Sequence, residues 1–470
     1  MTALARLRDW VLGGKRLQPI AADRLALIAM ALAAFKFANW SWLSARIPGR
    51  GAAIASDALQ FISFLLFVVL VALSCRAALP EWIRRARPGR AAVLAPLLLV
   101  VLAGLVSATI VRSMPTANQR IDDANAMAVC GARAIEAGRN PYRIKEVNCL
   151  RQLGLPTTLA TPLRKGTLAG IEGYPSPDQI QAAVATAIHH GGTQTLFSGL
   201  AKPPLDLAVM LPVAHDSSQV RALWTLLAAA IFAVLLGAAA GPLWAAAVAA
   251  FLATYYIPGS AINFASFGNA ESVAYLLMAL SVLWIRRPVL SGACLGVAIA
   301  SNELALFFLP AYLLIGLGRP GQSRRLLSLV AAVVIGVVPW LFRYPDAIPT
   351  IWHNLAAPTF PLGYGPVLLV LQRLVTSPPP DLMLGMSAVA MALILLWGWR
   401  RPAWRVSAGV IMLTGFWLSW RSLDEYMAQV PLLAVAAILA LLSTSELEAS
   451  AQGSGGLSPG DDGGLGSPSS

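Results

Sequence analysis

The chain has 470 residues, of which 57% are hydrophobic and 12% charged, and its mean hydropathy is +0.67. Soluble globular proteins carry about 25% charged residues, so this composition excludes a water-soluble domain. Lys and Arg outnumber Asp and Glu by 35 to 22. The excess falls in short blocks between apolar runs, which is typical of cytoplasmic loops and not of a nucleic-acid surface.

Apolar runs long enough to cross a membrane recur along the chain, since a span needs about 20 such residues. The sequence predicts twelve spans, at 25–43, 54–75, 91–111, 222–240, 243–262, 267–285, 290–300, 304–317, 326–342, 382–399, 406–420 and 427–442. This count puts every arginine block and both termini in the cytoplasm. We therefore expect an all-α, multi-pass protein of the inner membrane.

Two further apolar pieces, 205–212 and 367–375, are too short to cross, and each begins just after prolines. If only one of them were a span, the predicted membrane orientation of every later segment would be reversed. We interpret both as re-entrant or interfacial segments, which are tolerated where they line a cavity.

Three regions follow from this pattern. Residues 1–90 are predicted to contain two spans, and residues 91–442 are predicted to contain the other ten, with a long polar, extracytoplasmic loop at 112–203. Residues 443–470 are rich in Gly, Ser, Pro and Asp and are predicted to be a disordered cytoplasmic tail.

The long loop opens with Asp122 and Asp123, followed by a helical pattern whose apolar face suits a helix lying on the membrane surface and ending at Gly138. Either aspartate can cap this helix, act as a general base at the membrane boundary, or do both. Cys130 and Cys149 lie in the same loop. They form a disulfide in an oxidising compartment or remain two buried thiols.

Several motifs together resemble one enzyme class. The loop stretch from Asp122-Asp123-Ala124 to Asn140-Pro141-Tyr142 resembles the first extracytoplasmic loop of polyprenol-phosphate-sugar-dependent glycosyltransferases of the C superfamily, with family 87, the phosphomannose-dependent mannosyltransferases, the most similar. Further matches follow in the family's order: Lys202-Pro203-Pro204-Leu205, Gly268-Asn269, the paired short helices within 292–310, and Tyr426 with Pro431. The resemblance covers most of the chain after Ala91, which implies a membrane core at 91–442 and a two-helix membrane extension at 1–90.

The resemblance implies a glycosyltransferase C-type fold in which Asp122 or Asp123 is the catalytic base. It also implies substrate contacts from the motif residues Asn140, Tyr142, Asn269 and Tyr426. The lysine often found between the paired short helices, a candidate for binding the lipid phosphate, is replaced by Asn302-Glu303, and the tyrosine before Pro-Pro is replaced by Lys202. The donor-binding charge is therefore expected at Lys202, Arg343 or Arg421.

Glu271 and Glu303 lie in or beside apolar runs, where ionisable side chains are costly and are functional candidates. They are expected to bind a sugar or a divalent cation, or else to lie at helix ends in the headgroup region. The four histidines do not form a ligand pattern for a metal. We predict no metal site and no cofactor, with a divalent cation the one exception left open.

The expected function is transfer of a hexose, mannose in the resembled family, from a polyprenyl-phosphate donor to a lipid or glycan acceptor on the extracytoplasmic face. The donor brings its own leaving phosphate, which agrees with a sequence that has no Walker or dinucleotide-binding motif. The expected partners are the donor, the acceptor and membrane lipids, without nucleic acid. Two alternatives stay open: a transporter or flippase of a lipid-linked intermediate, and a non-catalytic membrane scaffold.

Overall fold

The protein is built from α-helices, as a computed structural model shows for residues 19–40, 50–77, 79–81, 123–144, 146–157, 160, 163, 168, 171–189, 200, 202–238, 271–356, 362–363, 365–371, 375–376, 378–419, 421–422, 426–427 and 429–441. The helices in chain order are α1 (Pro19–Trp40), α2 (Arg50–Ser74), α3 (Asp123–Glu136), α4 (Glu146–Gln152), α5 (Pro177–His189), α6 (Pro204–Met210), α7 (Ser217–Ala238), α8 (Glu271–Leu283), α9 (Pro288–Ser301), α10 (Leu304–Gly316), α11 (Gln322–Arg343), α12 (Ala347–Ala356), α13 (Val367–Leu371), α14 (Pro380–Arg400), α15 (Arg405–Ile411) and α16 (Gln429–Leu441). Four short 3₁₀ segments accompany them, at Pro141–Arg143, Leu211–Val213, Pro402–Trp404 and Met412–Leu418. Strands β1 (Leu362–Gly363) and β2 (Arg421–Ser422) form one short parallel pair. The predicted helical class is confirmed for these residues.

Prolines fix the beginning of several helices. Pro204, Pro288 and Pro380 are the first residues of α6, α9 and α14. Proline suits this position because its fixed φ is already helical and its missing N–H would have no partner there. Helix α6 therefore begins beside the prolines after which the short segment 205–212 was predicted to begin.

Three described helices are long and apolar enough to cross a membrane, over Ile54–Ser74, Gln322–Arg343 and Asp381–Arg400. Other helices contain apolar stretches of 10–17 residues, among them Ala26–Phe35 in α1 and Ala222–Leu235 in α7. The predicted spans 91–111 and 243–262 lie outside the described residues, as does the predicted tail 443–470.

Three of the described helices expose rows of apolar side chains. Helix α11 exposes Leu327, Ile335 and Phe342 at 70%, 75% and 87% of their surface, and α2 and α14 expose similar rows of Leu, Ile, Val and Met. A water-soluble protein rarely exposes contiguous apolar patches of this kind, because burying them in another phase is strongly favourable. The surface fits a surrounding lipid phase.

Arginines gather at one end of the body, here called the basic end and defined by Arg24, Arg76, Arg319, Arg325 and Arg405. Arg24 Nη1 donates to the carbonyl oxygens of Ser74 (2.5 Å) and Arg76 (2.7 Å), and the Arg76 guanidinium lies over the Trp404 ring. Arginine side chains commonly satisfy the last carbonyls of helices in this way.

Arg325 provides the same kind of contact in the second half of the chain. Its buried guanidinium donates to the carbonyls of Ile285 (2.8 Å) and Gly316 (3.1 Å), which follow α8 and end α10. Arg405 donates to the carbonyl of Leu317 at 3.3 Å. Burial, together with the positive charges of Arg286 and Arg325, lowers the pKa of Arg319. Arginines from several of the predicted blocks therefore lie together among the described residues.

The N-terminal helix pair packs directly on the C-terminal helices. The Ser407 hydroxyl donates to the Ala72 carbonyl at 2.7 Å, and the ring of Phe64 stacks on Trp417 with centroids 4.4 Å apart. The apolar side chains of α1 and α2 belong to the same buried cluster as those of α8 to α10 and α16. The helices predicted as an extension thus share the core.

One predicted span is not a continuous α-helix. The run expected at 406–420 forms α15 and then changes to the seven-residue 3₁₀ segment Met412–Leu418. The Ser387 hydroxyl of α14 donates to the Gly415 carbonyl at 2.7 Å, and a Cβ atom on Gly415 would lie 2.6 Å from Met391 Cγ. Glycine at position 415 permits α14 to approach closely. The Ser387 hydroxyl of α14 then provides a hydrogen-bond donor for the Gly415 carbonyl in the 3₁₀ segment.

The helix predicted to lie on the membrane surface is buried instead. All residues of α3 from Asn125 to Ala132 are buried, and the Leu200 and Leu207 side chains fill the space beside Gly131. The predicted end at Gly138 is correct, with φ at +69°. The pattern of small residues on α3 serves close packing against α6 and not contact with lipid.

Candidate functional site

The polar candidates lie at the end of the body opposite the arginines, here called the loop end. Helix α8 begins at Glu271 and runs for 13 residues towards Ile285, which contacts Arg325 at the basic end. At about 1.5 Å per residue, Glu271 lies roughly 20 Å from that end. Helices α9, α10 and α11 alternate in direction, so the α9–α10 corner and the end of α11 also reach the loop end.

Lys202 and Glu271 form a buried ion pair at the loop end. Their charged atoms, Nζ and Oε1, are 3.8 Å apart, and the two side chains are 7% and 11% exposed. Lys202 precedes the Pro203-Pro204 start of α6, and Glu271 is the first residue of α8. Two residues that the sequence proposed for different roles are thus brought together, and they tie the short segment α6 to a core helix.

Tyr142 and Asp206 extend this polar centre. The Tyr142 hydroxyl donates to the Lys202 carbonyl at 3.3 Å, and Asp206, in the first turn of α6, is fully buried. Burial, followed by the nearby charge of Asp206, raises the pKa of Tyr142 well above its usual range. The Tyr142 hydroxyl therefore stays protonated and acts as a donor at any physiological pH.

Asn140 is held by contacts within the protein. Its Oδ1 accepts from the Tyr142 backbone N–H at 2.9 Å, and its Nδ2 donates to Asp346 Oδ2 at 3.0 Å. Arg143 Nε donates to the same Asp346 oxygen at 2.8 Å. Asp346 therefore joins the Asn-Pro-Tyr turn of the loop to the segment that follows α11. The motif residue Asn140 has a clear structural role here.

Two buried polar atoms lie at the corner between α9 and α10. Asn302 is fully buried and its Oδ1 accepts from the Leu304 backbone N–H at 2.9 Å. Among the described residues, Asn302 Nδ2 and Glu303 Oε2 have no hydrogen-bond partner. Buried polar atoms are nearly always paired with protein, water or ligand, so this corner is a place where a polar ligand would be stabilised.

The remaining predicted residues are more widely spread. Asp123 is the first residue of α3 and half-buried. Arg343 Nε donates to the Tyr344 hydroxyl at 3.0 Å, and the ring of Tyr426 packs 5.4 Å from that of Phe416. Arg421 lies in β2, opposite Leu362 of β1. Asp122 and Asn269 lie outside the described residues.

Cys130 and Cys149 form a disulfide, the first of the two arrangements that the sequence left open. The bond joins α3 to α4 within the polar loop. The Cys75 and Cys294 thiols are free. In the part of the chain that the structure describes, no three His, Cys, Asp or Glu side chains are grouped to hold a metal ion.

Asp206 and Asp346 were missed by the sequence analysis. Asp206 had a usable signal, because a carboxylate inside a short apolar segment is costly and is a functional candidate. Asp346 had none, since its partners Asn140 and Arg143 are about 200 residues away in sequence.

We compared the chain with protein-family models, with curated proteins and with solved structures, and none matched. The loop-end site is therefore inferred from the geometry of its residues alone.

Proposed function

We propose that the protein is an integral membrane glycosyltransferase that moves a hexose from a polyprenyl-phosphate donor to a lipid or glycan acceptor. The observation that carries the proposal is the polar centre at the loop end, where Lys202, Glu271, Asp206 and Tyr142 are buried above an apolar helical body. Buried ionisable groups at the edge of a membrane body are expensive and are typical of substrate sites.

The shape of the molecule suits a donor that is half lipid and half sugar. The apolar surface of α2, α11 and α14 offers a place for a polyprenyl chain, and the loop end offers polar atoms such as Asn302 Nδ2 and Glu303 Oε2 for sugar hydroxyls. Hydrogen bonds in such a low-dielectric site are stronger than in water. A donor of this kind would span both surfaces.

In the proposed reaction, the carboxylate of Asp123 or Asp122 accepts the proton of an acceptor hydroxyl. The hydroxyl oxygen then forms a bond to the anomeric carbon, and the bond from that carbon to the phosphate oxygen breaks, with the electron pair leaving on the phosphate. Cationic side chains at the loop end, with Lys202, Arg343 and Arg421 the candidates, would stabilise the departing charge.

The proposed setting is the inner membrane, with twelve spans and both termini in the cytoplasm. The grouping of Arg24, Arg76, Arg325 and Arg405 at one end supports this orientation, because arginine-rich loops remain on the cytoplasmic side. The loop end then faces outward, where the Cys130–Cys149 disulfide is chemically at home.

The decisive experiment measures transfer of labelled mannose from synthetic polyprenyl-phosphate mannose in membranes that contain the protein. We expect Asp122→Asn or Asp123→Asn to reduce transfer by at least about a hundredfold, the size of a general-base contribution. Asp178→Asn is the matched control, because Asp178 also begins a loop helix but is exposed.

Equal transfer by wild type and both variants would exclude an aspartate base in this pair. If the wild type gave no transfer from mannose or glucose donors in the presence of native acceptors, the transferase proposal would fail. Movement of the labelled lipid between leaflets in the same membranes would then favour a flippase.

A further inference from the structure

A separate cavity of about 620 Å³ opens in the extracytoplasmic loop between α3 and α4. Its walls come from the end of α3, the turn that follows, and α4, which the Cys130–Cys149 disulfide joins. The lining residues are Cys130, Arg133, Ala134, Arg139, Asn140, Arg143, Ile144, Asn148, Cys149, Gln152 and Leu153. Neither Lys202 nor Glu271 belongs to it.

The charge of this cavity is strongly one-sided. Three of its lining residues are arginines, three carry side-chain amides, and none is Asp or Glu. Asp346 offsets the charge of Arg143, which leaves Arg133 and Arg139 without a carboxylate partner among the described residues, so a bound anion would be attracted to both. Arginine also matches the oxygens of phosphate in paired, parallel hydrogen bonds.

Two of the arginines are held in place by the surrounding loop. Arg133 Nε donates to the Ala214 carbonyl at 2.9 Å, and Arg143 Nε donates to Asp346 at 2.8 Å. A guanidinium has five N–H donors, so each keeps others for a ligand. The half-buried Arg133 is the more firmly held of the two, because the Arg143–Asp346 pair is exposed, and a side chain held in place costs less entropy to bind a ligand.

Arg139 differs from the other two. The turn at Gly138 positions its backbone, through a hydrogen bond from the Arg139 N–H to the Ala134 carbonyl at 2.7 Å. Within the described part of the chain, the Arg139 side chain has no hydrogen bond and no ion pair. An arginine at the end of a helix offsets the helix dipole, which amounts to about half a negative charge at that end. The three arginines that line the cavity carry more positive charge than this dipole needs.

The size of the cavity limits the ligand. A volume of about 620 Å³ lies within the range of small-molecule sites, which is roughly 300–1,000 Å³, and is far larger than one phosphate needs. The amides of Asn148 and Gln152 are exposed towards solvent at the same cavity. These amides can form hydrogen bonds with hydroxyl groups on the rest of a phosphorylated molecule.

We infer that this cavity, here called the arginine pocket, is a binding site for a phosphate- or diphosphate-bearing molecule. The phosphate group contacts Arg133, Arg139 and Arg143, and the attached polar group contacts the amides. The site does not depend on the proposed transferase activity, since binding there can be measured without any donor sugar. Its ligand comes either from a lipid headgroup or from a free phosphorylated molecule.

The test uses the whole protein in phosphatidylcholine nanodiscs, titrated with inorganic pyrophosphate in a calorimeter. We expect saturable binding that Arg139→Gln weakens about tenfold or more, as loss of a hydrogen bond to a charged group predicts. Arg139→Lys should recover only part of the affinity, because lysine lacks the paired donors. Arg287→Gln, which removes an exposed charge near the basic end, is the matched control.

A second arm replaces part of the phosphatidylcholine with phosphatidylglycerol. If phosphatidylglycerol weakens pyrophosphate binding to the wild type but does not change binding to Arg139→Gln, the lipid headgroup competes for the pocket and is the source of the ligand. Unchanged binding identifies a free phosphorylated molecule. The proposal is overturned if pyrophosphate does not bind in either disc, if Arg139→Gln binds as tightly as wild type, or if Arg287→Gln loses as much affinity as Arg139→Gln.

Discussion

Each charge of the Lys202–Glu271 pair depends on the other. Both side chains are almost fully buried, so each charge has lost most of its hydration, and the ion pair offsets part of that cost. The Arg143–Asp346 pair is chemically similar, but its side chains are 75% and 39% exposed. Water can replace either partner of this second pair at small cost.

We expect Lys202→Met or Glu271→Gln to lower the free energy of unfolding by about 3–5 kcal/mol, because each removes one partner of a buried ion pair. The double variant should lose much less than the sum of the two. Arg143→Gln, the exposed counterpart, should cost less than about 1 kcal/mol. Chemical unfolding in detergent measures all four, and additive losses would show that the two charges do not stabilise each other.

The sequence identified several site residues but not their pairing. Lys202 and Glu271 were each recognisable, one beside Pro-Pro and one at the start of an apolar run, yet they are 69 residues apart and nothing local joins them. Asp346 could not be found at all, since its partners lie in another region of the chain. Residue types predict candidates, whereas contacts between distant residues need the fold.

Helices α9 and α11 approach each other through glycines. A Cβ atom on Gly296 would lie 2.6 Å from both the Leu329 carbonyl oxygen and Ala332 Cβ, and one on Gly292 would meet Arg325 and Ser328. These glycines are four residues apart, the spacing by which helix backbones approach closely in membranes. The contact leaves no room for a side chain.

Gly296→Ala is therefore expected to destabilise the protein by about 1–3 kcal/mol, the usual cost of overpacking. Gly385 of α14 is the matched control, because a Cβ atom there meets nothing within 4 Å. Gly385→Ala should be neutral or slightly stabilising, as alanine favours a helix. Thermal unfolding compares the two variants; a smaller loss for Gly296→Ala than for Gly385→Ala would contradict this account of the packing.

The two short segments that begin after prolines were placed well from the sequence, as the starts of α6 and α13 show. The type of helix within a predicted span, and the burial of a predicted surface helix, did not follow from the sequence. The change to a 3₁₀ helix after Ile411 depends on Gly415 and on Ser387 of another helix, and the burial of α3 depends on Leu200 and Leu207. Both are effects of tertiary packing, which a local pattern cannot contain.

Across the whole molecule, charge and hydropathy divide the surface into three zones: the basic end, the apolar surface and the loop end. Arg325 and Arg405 join helix ends at the first zone, and the Cys130–Cys149 disulfide lies in the third. This arrangement agrees with the arginine blocks read from the sequence, because loops on one side of a membrane must meet at one end of the helices.

Alkaline phosphatase fused after Gly170, in the polar loop, is expected to be active, because the enzyme folds only outside the cytoplasm. A fusion after Arg319, at the basic end, is the control and should be inactive. The opposite pattern would invert the proposed orientation and would place the disulfide in a reducing compartment. Enzyme activity normalised to the amount of fusion protein gives the answer.

The 3₁₀ segment Met412–Leu418 also changes how far its part of the chain extends. A 3₁₀ helix rises about 2.0 Å per residue and an α-helix about 1.5 Å. Seven residues in each form, from Arg405 to Leu418, therefore extend about 24 Å, whereas a continuous α-helix of the same residues would extend about 21 Å. Matching that length in α-helical form would take about two more residues, so the tighter winding lets this part of the chain reach further with the same number of residues.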